Sequence, residues 1–242
     1  MKIKRARRPL CAVAWLAMLG RIAGPANGPG VLAGNHIGFL DFTFIGYAAR
    51  LRDRHVRFMA KRSVFELPVA GWLMRRMRHI PVDRREGWRA YRQGLRMIDD
   101  GQLVGGFPEA ISRSWLLKPF KRGAAGFAVS RRVPLVPVVV WGGHRVYTVD
   151  GHRSLRRRIP VTVSVGEALI PGDGETIDEL STRLHVTMEA LLDEAIDTYP
   201  EQPRNDDDRW WVPHNRGGTA PDPETAAVLD REAVARIGDT FE

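Results

Sequence analysis

The stretch VLAGNHIGFLDFTFIGYAARLR, residues 31–52, decides the fold. Val31, Leu32 and Ala33 form a short apolar run with no polar alternation, as in a strand buried on both faces. Asn35 and His36 sit at its exit. Asp41 opens a helix that runs to about Arg52 and ends at the charged turn Arg52-Asp53-Arg54. A buried strand passing through a short loop into a helix is the unit from which α/β sheets are built.

The alternation continues along the chain. His55 to Ala60 reads as a strand and Phe65 to Met77 as a helix. Ile80-Pro81-Val82 is a short extended piece. Trp88, Tyr91, Leu95 and Ile98 recur at spacings of three and four, giving a helix with one apolar stripe that Gly101 stops. Leu103 to Phe107 is a buried strand, Phe120 to Arg131 a helix, and Val133 to Trp141 a strand. Pro134 and Pro137 imply that this strand lies at an edge or at a strand start. Arg158 to Leu169 is a further strand. Leu180, Leu184, Met188, Leu191 and Ala195 mark a last amphipathic helix. The expected fold is α/β: a single domain with a mixed, partly parallel sheet flanked by helices.

The ends differ in character. Five of the first eight residues are Lys or Arg, and an apolar run follows from Leu10 to Leu19. That run is too short to cross a bilayer, which takes about 20 apolar residues. Residues 1–24 are expected to form a basic, membrane-associating helix; the equal alternative is a first helix packed on the domain, with Leu10, Val13, Leu16 and Leu19 as its inner face. Residues 25–199 form the main domain. Residues 200–242 are polar, with scattered Pro and Gly, and read as a mobile tail. Trp210-Trp211 is the exception, able to pack back on the domain or dip into a membrane interface.

The 242 residues fit one α/β domain, and 44% hydrophobic content supplies a sizeable core. The formal charge of +9 points to an anionic partner: nucleic acid, an acidic membrane or a phosphorylated substrate. The aromatics fall mostly in apolar stripes, and no helix-turn-helix or zinc pattern stands out. Nucleic acid is therefore not the expected partner. Cys11 is the only cysteine, which excludes an internal disulfide and a thiolate metal cluster.

Four places hold chemistry or shape it. His36, at a strand exit, can expose one ring nitrogen while Asp41 holds the other, an arrangement suited to general-base catalysis. A residue type such as Asp41 equally serves to cap a helix. Arg84, in PVDRR, can hold a phosphate with paired donors. Phe107-Pro108-Glu109-Ala110-Ile111-Ser112-Arg113-Ser114 sets Glu109 at a sheet edge, with Ser112 and Arg113 able to bind phosphate or, in the case of the serines, to cap a helix. Residues 134–142, PLVPVVVWG, carry no reactive side chain and shape a cleft wall.

In this order and separation, across residues 30–142, these blocks resemble the glycerolipid acyltransferase family, especially bacterial 1-acylglycerol-3-phosphate acyltransferases. NHIGFLD matches its asparagine-histidine, four variable residues, aspartate. AKRSVFELPVAGWLMRRMRHIPVDR and FPEAISRSWLLKPFKRGAAGFA resemble its second and third blocks. One departure stands out: Ala110-Ile111 replace the usual glycine and threonine, and the stretch is one residue short.

The resemblance implies transfer of a fatty acyl group from acyl-CoA or acyl carrier protein to a lysophospholipid hydroxyl, 1-acyl-sn-glycerol-3-phosphate giving phosphatidate. It assigns His36 as base and Asp41 as its partner, with Arg84, Glu109, Ser112 and Arg113 as substrate contacts. No cofactor or metal is called for. The expected partners are the lysophospholipid, the acyl donor and an anionic membrane surface, on which the protein sits peripherally at the cytoplasmic side. A glycolipid or lyso-ornithine acceptor, or a noncatalytic lipid-binding relative, is the alternative.

Overall fold

Every residue of the first decisive strand, β2 (Gly30–Gly34), is buried. Its side chains alternate between two cores: Val31 and Ala33 enter one, Leu32 the other. This is why the run carries no polar position. The computed structural model describes residues 14–19, 28–83, 86–154 and 156–238.

Among the described residues, β2 lies within a seven-stranded sheet. The other strands are β1 (Ala14–Leu19), β3 (Val56–Lys61), β4 (Ile80–Val82), β5 (Leu103–Gly106), β6 (Leu135–Trp141) and β7 (Ile159–Val165). Their spatial order is β1-β7-β6-β2-β5-β3-β4. All pairs are parallel except β6 with β7. The mixed, partly parallel sheet is thus as the sequence predicts.

Helix α1 (Asp41–Arg50) covers one face. Three more cover the other: α4 (Gly87–Asp99), α5 (Gly123–Arg131) and α6 (Ile177–Asp197). The predicted helix over 65–77 is two pieces, α2 (Arg62–Glu66) and α3 (Pro68–Arg76). Leu67 separates them in an extended conformation, with ψ at 135°. The ring of Pro68 disfavours the helical conformation in the residue before it.

The chain leaves β2 through α1 on one face and leaves β5 through α5 on the other. A crevice opens where such connections diverge, above the carboxyl ends of the strands. His36 follows β2 there, and Phe107 follows β5.

Three expectations need correction. Residues 14–19 do not form part of a helix: they are an edge strand parallel to β7, in register from Ala14 beside Ile159 to Leu19 beside Ser164. A short apolar run fits strand or helix equally, and β7 offers it ready hydrogen-bond partners. The rest of the proposed membrane-associating segment lies outside the described residues.

The strand with two prolines is central rather than an edge. Pro137 is tolerated because the β6–β7 ladder is interrupted beside it. Regular pairing stops at Val138 with Val165, and an isolated bridge joins Leu135 to Leu169. Gly166 N–H donates to the Pro137 carbonyl across the gap, at 3.0 Å. No ladder bond is therefore lost to the missing N–H.

The third correction concerns the tail, which is folded onto the domain through most of its length. The Trp115 indole donates to the Trp210 carbonyl at 2.8 Å. His144 Nε2 donates to the Trp211 carbonyl at 2.9 Å. Burial pushes the His144 pKa down to about 3, so the ring is neutral there. The Arg145 guanidinium lies 4.1 Å from the Trp211 ring centroid and pairs with Glu201 at 2.8 Å. Beyond this, α7 (Pro223–Gly238) buries Ala226 and brings Asp230 to Arg113 and Lys118. Two tryptophans bury enough apolar area to order a segment whose average composition is polar. Trp211→Ala should cost about 3–5 kcal/mol of stability, read as a lower urea midpoint. An unchanged midpoint would mean that the tail adds nothing to the core.

Candidate active site

The site begins with Asn35, which is fully buried. Its side-chain amide donates to the Val140 carbonyl at 3.1 Å and accepts the Val140 N–H at 2.7 Å. An amide has both a donor and an acceptor, so it mimics a strand residue and fastens the exit of β2 to β6. Sequence reasoning gave Asn35 no such role.

His36 follows directly. Its Nδ1 lies 3.2 Å from Asp41 Oδ2. The same oxygen accepts the N–H groups of Ile37 at 2.8 Å and Gly38 at 2.7 Å. Asp41 therefore turns back to the loop and makes no cap bond to its own helix. It is wholly buried, whereas the His36 side chain keeps 24% of its surface exposed. With Nδ1–H donated to the carboxylate, Nε2 carries the lone pair. Phe107 stacks on the imidazole at 4.4 Å and 17°, fixing the ring plane. The loop is held from outside by Thr148 Oγ1 on the Ile37 carbonyl at 2.5 Å and by Ser112 N–H on the His36 carbonyl at 2.7 Å. A base with its tautomer, plane and backbone all fixed can accept a proton from a hydroxyl without first reorganising.

Glu109 supports this loop from below. Oε1 accepts the His36 N–H at 3.0 Å and Oε2 accepts the Lys118 N–H at 2.6 Å. Burial pushes its pKa up to about 7, partly opposed by those two N–H donors. The carboxyl spans the two blocks of the site and is 5% exposed.

The other expected substrate contacts are placed as follows. Ser112 is fully buried, and its hydroxyl donates to the Leu116 carbonyl at 2.7 Å rather than capping a helix. Arg113 is bidentate to Asp150 at 3.0 and 3.1 Å and also pairs with Asp230, which in turn meets Lys118. Arg84 lies outside the described residues. The structure thus joins His36, Asp41 and Glu109 through short bonds and spends the polar atoms of Ser112 and Arg113 on protein partners. Ala110 does not stand at positive φ; the left-handed residue of this loop is Trp115, with φ 62°. The replaced glycine therefore leaves no strain at that position.

A family model described as Acyltransferase matches residues 20–141, and the chain belongs to that family. A 1-acyl-sn-glycerol-3-phosphate acyltransferase of Bacillus subtilis is 29% identical over 119 residues, 49% of this chain and 58% of that protein. A chloroplastic one of Brassica napus is 31% identical over 122 residues, 49% of this chain and 34% of its own length. In both, the chain spans less than two thirds of the relative. The crystal structure of the 1-acyl-sn-glycerophosphate (LPA) acyltransferase PlsC from Thermotoga maritima superposes with a TM-score of 0.65 at 20% identity. It covers 78% of this chain and 75% of that one, which establishes the shared fold.

The raised Glu109 pKa has a definite sign in folding. A carboxyl that titrates near 7 when folded and near 4.5 when unfolded favours the folded state most at low pH, and loses that contribution as pH rises through 7. Relative to Glu109→Gln, the wild type should gain on the order of 3 kcal/mol between pH 7 and pH 4.5. Urea unfolding across that range reads it. A pH-independent difference would mean that the carboxyl stays ionised throughout.

Proposed function

We propose that this chain transfers a fatty acyl group from a thioester, acyl-CoA or acyl carrier protein, to the hydroxyl of a lysophospholipid. The favoured acceptor is 1-acyl-sn-glycerol-3-phosphate, and the product is phosphatidate. The observation that carries the reading is the buried Asp41 carboxylate on Nδ1 of the partly exposed His36, at the carboxyl edge of an acyltransferase-family sheet.

In the mechanism that follows, His36 Nε2 takes the acceptor's hydroxyl proton as the oxygen attacks the thioester carbonyl. Asp41 stabilises the imidazolium so formed. Collapse of the tetrahedral intermediate forms the ester and breaks the C–S bond. The departing thiolate takes the proton back from His36 and leaves as a thiol. No acyl-enzyme is formed. Acceptor and product are both lipids, so the reaction belongs at a membrane surface, with the protein bound peripherally on the cytoplasmic side. Among the described residues, no helix is long and apolar enough to cross a membrane.

Purified protein, presented with an acceptor panel and both donor types, should make ester product. His36→Ala and Asp41→Asn should each lower kcat by about a hundredfold to ten-thousandfold. Product formed at the wild-type rate by His36→Ala would sink the proposal. Arg84 and Arg113 are the proposed ligands of the acceptor phosphate, and Arg113 must first release Nη1 from Asp230 while Asp150 keeps Nε and Nη2. Asp230→Asn should therefore lower KM for a phosphorylated acceptor by about tenfold, the worth of one charge-assisted hydrogen bond. An unchanged KM would make Arg113 a structural tie and favour an acceptor without a phosphate, such as a glycolipid.

A further inference from the structure

Helix α3 buries only one side. Gly71 and Met74 face the domain. On the other side Val69, Trp72 and Leu73 recur at helical spacing and are 73%, 56% and 43% exposed. Met77 continues the stripe one turn on, and Leu67 precedes it at 54% exposed. A soluble helix normally turns polar residues outward. Here the outward face is apolar, with exposed Arg76 and Arg78 beside it.

A second exposed aromatic lies nearby in the topology. Trp88, in the first turn of α4, is 56% exposed, with the Arg89 and Arg92 guanidinium groups 5.3 and 5.5 Å from its ring centroid. The α2–α3 pair leaves the sheet at the carboxyl end of β3, and α4 follows the carboxyl end of β4. These strands are parallel to β5 and so to β2, which puts both departures on the sheet edge that holds His36.

With the acyl-transfer reading above as its premise, we propose that the outer face of α3, together with Trp88, docks the protein on an anionic lipid bilayer. An apolar helix face with tryptophan and bordering arginines is the chemistry of an interfacial helix. Tryptophan settles at the headgroup level, and arginines meet acidic headgroups. The chain's charge of +9 suits an anionic surface. Docking by this face sets the edge carrying His36 toward the membrane that holds the acceptor, and does so with described residues of the domain itself.

The test is sedimentation of the full chain with phosphatidylcholine vesicles containing or lacking phosphatidylglycerol. Wild type should pellet with the anionic vesicles. Val69→Asp/Trp72→Asp should lower partitioning by about tenfold or more, as should omission of phosphatidylglycerol. Val186→Asp, at an exposed position on α6, should change nothing. Acyl transfer to a short-chain acceptor kept below its micelle concentration should survive in the α3 double variant, while transfer to acceptor embedded in vesicles falls. Unchanged partitioning of the double variant, or a wild type that does not pellet, overturns the docking face and leaves the proposed reaction standing. Vesicle binding that depends on α3, in a protein that transfers no acyl chain to any acceptor, keeps the face and overturns the reaction.

Discussion

One buried carboxylate oxygen organises the site. Asp41 Oδ2 meets His36 Nδ1 and the N–H groups of Ile37 and Gly38. An ionised carboxylate accepts hydrogen bonds and donates none, so this contact dictates the histidine tautomer as well as its position. The two backbone bonds also close the loop between β2 and α1 into one conformation. Everything around it protects the arrangement. Asn35 fastens the strand exit, Phe107 stacks the ring, and Glu109 holds the His36 N–H. Even Gly143 belongs to this packing, since a Cβ there would come within 2.9 Å of Asp41 Oδ1.

The tail shows the same dependence on distant partners. Trp115, Trp141, His144 and Trp210, extended through Tyr199 to Trp211, form a contiguous aromatic group that joins the loop after β5, the end of β6 and the segment after α6. A neutral, buried histidine in that group donates to the backbone of the returning chain. Asp230 then carries the tail back to Arg113 and Lys118, in the block that holds Glu109. The C-terminal segment thus meets the same block whose Glu109 holds the His36 N–H.

The departure at Ala110-Ile111 takes on a different meaning in three dimensions. From sequence it is a replacement of the usual glycine and threonine in a stretch one residue short, and glycine is the residue that serves a positive φ. The positive φ lies at Trp115 instead, and Ser112 turns its hydroxyl inward to Leu116. Glu109 lies between the His36 and Lys118 amides and ties the loop to the exit of β2. Block three here supports the His36–Asp41 pair through the backbone as much as through its side chains.

The sequence by itself determined the alternation of strands and helices, the burial of β2 on both faces, and the placing of His36 and Asp41 on either side of one strand–helix junction. These follow from local patterns: apolar runs without alternation, stripes at helical spacing, and two residues five apart across a strand–helix junction. It did not determine the direction of Asp41, which could as well have capped α1, or the places of Asn35 and Glu109, whose partners lie up to 105 residues away. Nor did local pattern distinguish strand from helix for Ala14–Leu19, show that β6 is central, or reveal that a polar tail folds back. Each of those depends on a partner supplied elsewhere in the chain: the open edge of β7, the ladder gap beside Pro137, and the aromatic group around His144. Hydrogen bonds and burial between distant segments decide such questions, and no local periodicity records them.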